Sequence, residues 1–307
     1  MSIIDIEDYK EIIKNERTTS FTPPYDLVYE MFLSLGYDKK DMCFFEENAS
    51  MIVERLREKC WEKYYAAERT FTSNMLKRLV TENEIKDKTP YDAIIWFAEN
   101  YPEHIYQLNL SNTNSRRSRA GKEFESIIEL VLLGAGIPMD SQGNIGKKTF
   151  VERGLGKLVD AVSPGTVEFE INKRNAVLVS AKTTLRERWQ EVPEEMGRTG
   201  AREMFLATLD ENITQEVLDT LYEANIQVTT TRNNKLTNYL SNNRILDFEE
   251  LIAICKSNYS SWANYAYTSE QINKAVETIE IQIGKHTNHE FVQDSLMKRL
   301  NLYRSLL

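Results

Sequence analysis

The chain has 307 residues, 41% hydrophobic and 28% charged, the composition of an ordinary soluble protein with ample surface to bury in one large domain or two small ones. No run of eighteen apolar residues occurs, and the N-terminus MSIIDIEDYK lacks the basic-then-apolar shape of a secretion signal, so a membrane protein is excluded and a cytoplasmic one expected. The net charge of -9 taken as an average argues against a nucleic-acid-binding protein, and Cys43, Cys60 and Cys255, odd in number and without metal-ligand spacing, read as reduced structural thiols.

The first hundred residues read as helical. Pro23 and Pro24 open an apolar-periodic stretch from Tyr25 to Leu35 that ends near Gly36. A long charged helix is expected over Met51 to Thr70 and another over Tyr91 to Asn100. Between Leu108 and Asn114 the composition turns to Asn, Ser and Thr, which predicts a connecting loop. From Arg119 the pattern is helical again, with Phe124, Ile127, Ile128, Val131 and Leu132 at three- and four-residue spacing, until Gly134 and Gly136 stop it.

Short strands are expected next, over Gly156 to Val162, Val167 to Ile171 and Ala176 to Ala181, with Asn172–Asn175 (NKRN) as a hairpin turn between the last two. A loop then leads to a helix over Pro193 to Arg202. Met204 to Leu209 and Ile226 to Thr231 read as strands joined by a helix over Thr214 to Asn225, a β-α-β unit whose strands should be parallel. Phe248 to Cys255, Glu270 to Ile283 and the C-terminal tail read as helices. The sum is an α/β core with a central mixed sheet flanked by helices, preceded by a helical region. Residues 1–114 form that N-terminal region and 115–307 the core with its C-terminal helices, within one compact unit.

The acidic total conceals local basic focusing. Ser115 to Lys122 (SRRSRAGK) contains no acid, and Arg186 and Arg188 form a second cluster. Such focusing draws phosphates to one cleft of an acidic molecule. Arg116, Arg117 and Lys122 are read as phosphate contacts, which position a nucleic acid without specifying its sequence.

Val177 to Glu195 (VLVSAKTTLRERWQEVPEE) is the most informative stretch. Asp160 and Lys182 fall on neighbouring predicted strands, which puts them side by side at one end of a sheet. Asp160 offers oxygen to a hard cation such as Mg²⁺, and Lys182 can position or deprotonate a water and offset phosphate charge. The bland alternative is a surface aspartate and a strand-end lysine. Nucleases commonly carry a carboxylate two residues before the lysine. Ser180 stands there instead, and Glu195 on the following helix could point back into the vacancy as second metal ligand, or be a solvated helix carboxylate beside Glu191 and Glu194. Arg186, Glu187 and Arg188 can read adjacent G·C pairs, since arginine donates to guanine O6 and N7 and glutamate accepts from cytosine N4. The ordinary fate of such a run is a solvated loop.

RAGKEFE (Arg119 to Glu125), Asp160, SAK and TTLRERWQEV together resemble type II restriction endonucleases of the EcoRII, PspGI and SsoII group, in the PD-(D/E)xK superfamily. The resemblance covers about Arg119 to Arg202 and is most specific in KTTLRER. It implies a restriction-endonuclease-like core and Mg²⁺-dependent cleavage of both strands of palindromic duplex DNA by a homodimer, or a higher oligomer built from it. A CCNGG-type site cut with 5′ overhangs is implied, with a companion methyltransferase that is not a physical partner. It also implies Asp160, Lys182 and Glu195 as the displaced-carboxylate catalytic set, Glu125 as an additional acid, and Arg186, Glu187 and Arg188 as base readers. Gly121, one turn before Glu125, would allow close approach to the sheet; alternatively Glu125 merely edges the apolar stripe.

An odd-length site implies extrusion of the central bases, which need an aromatic platform. Trp61, with Arg57 one turn earlier, is the candidate, against core packing beside Leu56, Cys60 and Tyr64. Two other functions remain open: a repair or junction-resolving nuclease of the same superfamily, and a non-catalytic DNA-binding regulator. No Ser-His-Asp arrangement and no phosphate-binding glycine loop appear in the sequence.

Overall fold

A computed structural model describes residues 4–240 and 242–307, except for the side chains of Glu187 and Arg188. The early helices are α1 (Ile6–Ser20), α2 (Pro24–Ser34), α3 (Met42–Lys77), α4 (Glu82–Ile85), α5 (Pro90–Asn100) and α6 (Pro102–Gly134). After them come strand β1 (Asp140–Ser141), helices α7 (Gln142–Ile145) and α8 (Lys147–Glu152), β2 (Ala161–Ser163), α9 (Thr166–Ile171) and β3 (Val177–Lys182). Next are α10 (Glu191–Thr199), β4 (Met204–Thr208), α11 (Gln215–Glu223), β5 (Ile226–Thr230), α12 (Arg232–Asn238) and β6 (Leu246–Asp247). Helices α13 (Phe248–Ser260), α14 (Ser269–Lys285) and α15 (Glu290–Arg304) close the chain.

The chain divides into two compact units, Met1–Val28 with Glu58–Glu123, and Tyr29–Arg57 with Phe124–Leu307. The first is helical. Its core gathers Tyr9, Ile13, Phe71, Met75, Leu79, Tyr101 and Leu108. The Asn-Ser-Thr stretch expected as a loop lies within α6 instead. Its weak helix formers are satisfied in place: Thr113 Oγ1 donates to Asn109 O at 2.9 Å, and buried Asn112 donates to Thr72 Oγ1 at 2.9 Å and accepts from Arg17 Nη2 at 2.6 Å. Tertiary partners override propensity here.

The second unit is built on a six-stranded sheet in the order β1-β2-β3-β4-β5-β6. The pairs β1–β2 and β2–β3 are antiparallel and the other three parallel, so the sheet is mixed and the expected β-α-β unit is present. Residues opposite one another share a face. Leu178, Met204 and Ile226 line one face together with Ser180, Leu206 and Val228. Val192 and Met196 of α10 and Leu218 and Leu221 of α11 pack on that face. Helix α6 ends as expected, with Gly136 at φ 72 and Ile137 N donating to Leu132 O at 3.0 Å, a glycine-terminated cap.

Two expected strands are corrected. Of Gly156 to Val162 only Ala161 and Val162 are strand, opening β2, because Leu158 N–H bonds a side chain rather than a neighbouring strand. Val167 to Ile171 is helical within α9, and NKRN is a short 3₁₀ turn between α9 and β3 rather than a hairpin. Apolar alternation suggested a strand, but Glu168 is as buried as Phe169. Its carboxylate accepts from Tyr267 Oη at 2.9 Å and also from Tyr303 Oη. Asp140 Oδ2 takes Thr166 N–H and hydroxyl at 2.7 and 2.9 Å, satisfying the first turn of α9.

Asp140 also accepts from Arg299 Nη1 at 2.7 Å and Gln282 Nε2 at 2.8 Å through Oδ1, so one buried carboxylate joins β1, α9, α14 and α15. Burial alone would raise this carboxyl, but Arg299 and the Thr166 donors hold it below the ordinary range. Losing one partner of a buried pair costs about 3–5 kcal/mol, whereas exposed pairs contribute about 0–1 kcal/mol. Asp140→Ala is therefore expected to lower urea-unfolding stability by about 3–5 kcal/mol. Arg304→Ala, whose pair with Glu280 is half exposed, should change it by under about 1 kcal/mol. Because the folded pKa of Asp140 is depressed, its stabilisation is full above about 3.9, the unfolded value, and is lost as pH falls through the folded one. Equal urea midpoints for Asp140→Ala and wild type would contradict this.

Candidate active site

Asp160 is the last residue before β2. Its N–H donates to Val179 O at 2.9 Å and its carbonyl accepts from Gln142 N at 2.8 Å, so the backbone is held between β3 and α7. Its Oδ2 accepts from Ala181 N at 2.6 Å and from Lys182 Nζ at 3.1 Å. Lys182 Nζ also donates to Ala181 O at 3.0 Å. The expected side-by-side placement is present, although a helix rather than a hairpin connects the strands. Burial pushes the Asp160 carboxyl up, opposed by the Lys182 ammonium and the Ala181 N–H.

Ser180 lies two residues before Lys182, on the same face, and is fully buried. Among the described residues its hydroxyl has no hydrogen-bond partner. Glu195 reaches this face from α10. It is buried, and its Oε1 accepts from Leu158 N at 3.3 Å, two residues ahead of Asp160. Arg198 Nη1 lies 4.0 Å from Oε2. Val192 and Met196 flank Glu195 and are buried in the core under the sheet. Each contributes roughly 1.5–3 kcal/mol of apolar burial, so packing decides where the carboxylate points. Gly156 makes room for it: a Cβ there would lie 2.1 Å from Glu195 Oε1. The solvated-helix alternative for Glu195 does not describe this geometry.

These groups can hold a hard cation. Asp160 and Glu195 are two carboxylates, the second accepting from a backbone N–H two residues ahead of the first, and among the described residues there is no group of three or more His, Cys, Asp and Glu that could hold a metal ion. Carboxylate oxygens without thiolate or imidazole donors suit Mg²⁺, which keeps its waters, better than Zn²⁺.

Glu125 lies half-buried on α6 in the same unit. Gly121 does not serve close approach, since a Cβ there would meet nothing within 4 Å. Arg186 begins a 3₁₀ turn (Arg186–Gln190) with its side chain exposed and φ at 42, a backbone state that non-glycine residues seldom adopt and that clusters at functional sites. The side chains of Glu187 and Arg188, the other two expected base readers, lie outside the described residues. Sequence reasoning missed Asp210. Its Oδ2 accepts from Leu185 N at 2.8 Å, and its carbonyl accepts from Asn234 Nδ2 at 3.0 Å and Tyr239 Oη at 2.8 Å, tethering the segment that carries Arg186. An acid just past the C-terminal end of β4 was the available signal.

In the helical unit, Trp61 is 47% exposed, which does not describe core packing. Its ring stacks on Tyr65 with centroids 5.6 Å apart, and the Arg116 guanidinium lies 6.0 Å above its face. Arg116 is bound by buried Glu68, donating to Oε2 from both Nε and Nη2. Glu68 was not anticipated, being one acid among many on a charged helix. Arg117 and Lys122 are exposed on α6. Arg57, half-buried on α3, belongs to the second unit.

The EcoRII C-terminal family model matches residues 70–252. The type II restriction enzyme SsoII of Shigella sonnei is 49% identical over 96% of this chain and 96% of its own. Metal-depleted Ecl18kI in complex with uncleaved DNA superposes with a TM-score of 0.92 at 47% identity, covering 97% of this chain and 100% of that one. The PspGI–substrate DNA complex shares the fold, with a TM-score of 0.57 at 18% identity over 78% of this chain and 94% of that one. The chain therefore belongs to the EcoRII C-terminal family, in the group of type II restriction endonucleases that includes SsoII.

Proposed function

We propose that this restriction endonuclease cuts both strands of palindromic duplex DNA at a CCNGG-type site, with 5′ overhangs, as a Mg²⁺-dependent homodimer. The observation that carries the reading is the pairing of Asp160 Oδ2 with Lys182 Nζ at 3.1 Å, beside a segment whose Leu158 N–H holds the Glu195 carboxylate. Asp160 and Glu195 would hold the cation, and Glu125 adds a third acid to the same unit. Bound there, Mg²⁺ supplies positive charge to the reacting phosphate and acidifies water.

The chain's own groups do the rest. Lys182, fixed by Asp160 and Ala181 O, presents its ammonium to the scissile phosphate, offsets the charge there and orients the attacking water, whose proton passes to solvent. A strand-end lysine restrained from two sides loses little further side-chain freedom on meeting substrate, which favours reaction over mere binding. Arg186, Glu187 and Arg188 follow the catalytic strand directly and read the G·C pairs, while Arg117 and Lys122 meet phosphates. The exposure of Trp61 supports its use, with Arg57, as a platform for an extruded central base. Arg116, held by Glu68 over the indole, orients that ring as well as adding charge.

Digestion of a fully sequenced DNA with Mg²⁺ should give discrete fragments whose mapped ends share one palindromic site with 5′-phosphate termini; smears or structure-dependent cuts would reject the reading. Lys182→Ala should lower the cleavage rate by about 10²–10⁴-fold while leaving DNA affinity within a few-fold. Gly156→Ala should cost about 10²-fold by displacing Glu195. Gly197→Ala, where a Cβ meets nothing within 4 Å on the same helix, should cleave like wild type. Equal rates for the two glycine variants would remove Glu195 from the mechanism.

The ionised Asp160 carboxylate is required and burial raises its pKa, so activity is present above that value and lost below it. The acid limb of the rate profile should lie above about 3.9, the ordinary aspartate value, and move to lower pH as Mg²⁺ concentration rises. A limb insensitive to Mg²⁺ would detach Asp160 from the cation.

A further inference from the structure

A cavity of about 750 Å³ opens in the helical unit, between α1 and the middle of α6. Five cationic residues line it, Lys10, Lys14, Arg17, Arg119 and Lys122, and no carboxylate does, on a chain whose net charge is -9. Arg119 Nε lies 3.2 Å from Glu123, and Lys10 Nζ 2.8 Å from Glu7. Arg17 differs. Its Nη2 donates to a neutral amide, Asn112 Oδ1, at 2.6 Å, and its Nε and Nη1 are buried with no hydrogen-bond partner among the described residues.

The Arg17 guanidinium is held between aromatic rings, 4.4 Å from the Phe71 centroid and 5.3 Å from that of Phe21. Burial pulls its pKa down, opposed by the Tyr64 hydroxyl and the Glu68 carboxylate. A bound anion would add to that opposition through the charge of the five lining cations. Beside the cations, the walls carry apolar Ile13, Phe21 and Leu110 and the amides of Gln107 and Asn114. The volume lies within the range of about 300–1,000 Å³ that holds small ligands. A fixed guanidinium with mobile lysines around it matches a phosphate, and an aromatic-apolar wall matches a base.

We propose that this cavity is a nucleotide-phosphate site, filled either by a free nucleoside monophosphate or by a nucleotide of duplex DNA outside the recognition sequence. It is built wholly from the helical unit and needs neither Asp160 nor Lys182.

The test uses the full-length protein, Arg17→Met, which keeps apolar volume against the two rings, and Lys14→Gln, an exposed change that spares the fold. Adenosine 5′-monophosphate and uncharged adenosine are titrated by calorimetry. In parallel, affinity is measured without Mg²⁺ for a short duplex carrying only the cleaved site and for one extended by about one helical turn at each end. Free nucleotide as the source predicts that the monophosphate binds, adenosine does not, and both variants weaken binding at least tenfold. Flanking DNA as the source predicts that both variants weaken the long duplex about tenfold and leave the short one unchanged, with a smaller salt slope. The proposal is overturned if wild type binds no monophosphate and the variants bind the long duplex like wild type. It is equally overturned if adenosine binds as well as the monophosphate and the duplex affinities do not change. The nucleotide arm needs no cleavage, so its outcome is separate from that of the endonuclease reading.

Discussion

One carboxylate oxygen holds the sheet end together. Oδ2 of Asp160 accepts both the Ala181 N–H and the Lys182 ammonium, so a single atom fixes the approach of β2 to β3 and the direction of the lysine. A lysine side chain carries about 2 kcal/mol of rotamer entropy, and here most of it is given up on folding rather than on meeting a substrate. The aspartate is buried, which pushes its carboxyl up, while the Lys182 ammonium and the Ala181 N–H that it orders hold it down.

Around that atom, separate elements contribute through backbone groups as much as through side chains. Leu158 N–H holds Glu195, and Leu185 N–H holds the turn beginning at Arg186 onto Asp210. Lys182 and Asp210 both stand at or just beyond the carboxyl ends of parallel strands, where open α/β sheets gather their ligand groups. The loop is thus anchored just past β4 by Asp210, while Lys182 before it is anchored just ahead of β2 by Asp160.

Much of this was legible in the sequence because it is local. The β-α-β unit from Met204 to Thr230 announces itself by alternating apolar runs around an amphipathic helix, and α2 and α5 by proline at their first turns. Lys182 at a strand end, followed by an Arg-Glu-Arg run, drew the eye to the candidate site, and the pairing of Lys182 with Asp160 was legible from neighbouring strands. What escaped depends on partners distant in the chain. Asn112 stays helical because Thr72 and Arg17 satisfy it, and Thr166 starts a helix because Asp140 accepts its N–H. Gly156 looked like a strand residue, and only the arrival of Glu195 from the next layer explains it. Asp210 and Glu68 were two acids among 47, indistinguishable without their partners.

Ser180 has a consequence for when this enzyme is competent. With a carboxylate on the strand, both acids of such a site would form as soon as the sheet did. In the proposed site the second acid, Glu195, rides on α10, a helix of nine residues whose Val192 and Met196 are in the core. A short helix can detach at a fraction of the free energy of global unfolding. In the proposed assignment, local opening of α10 disarms the nuclease while the sheet stays intact, and amide exchange along Glu191–Thr199 reports how often the enzyme is switched off.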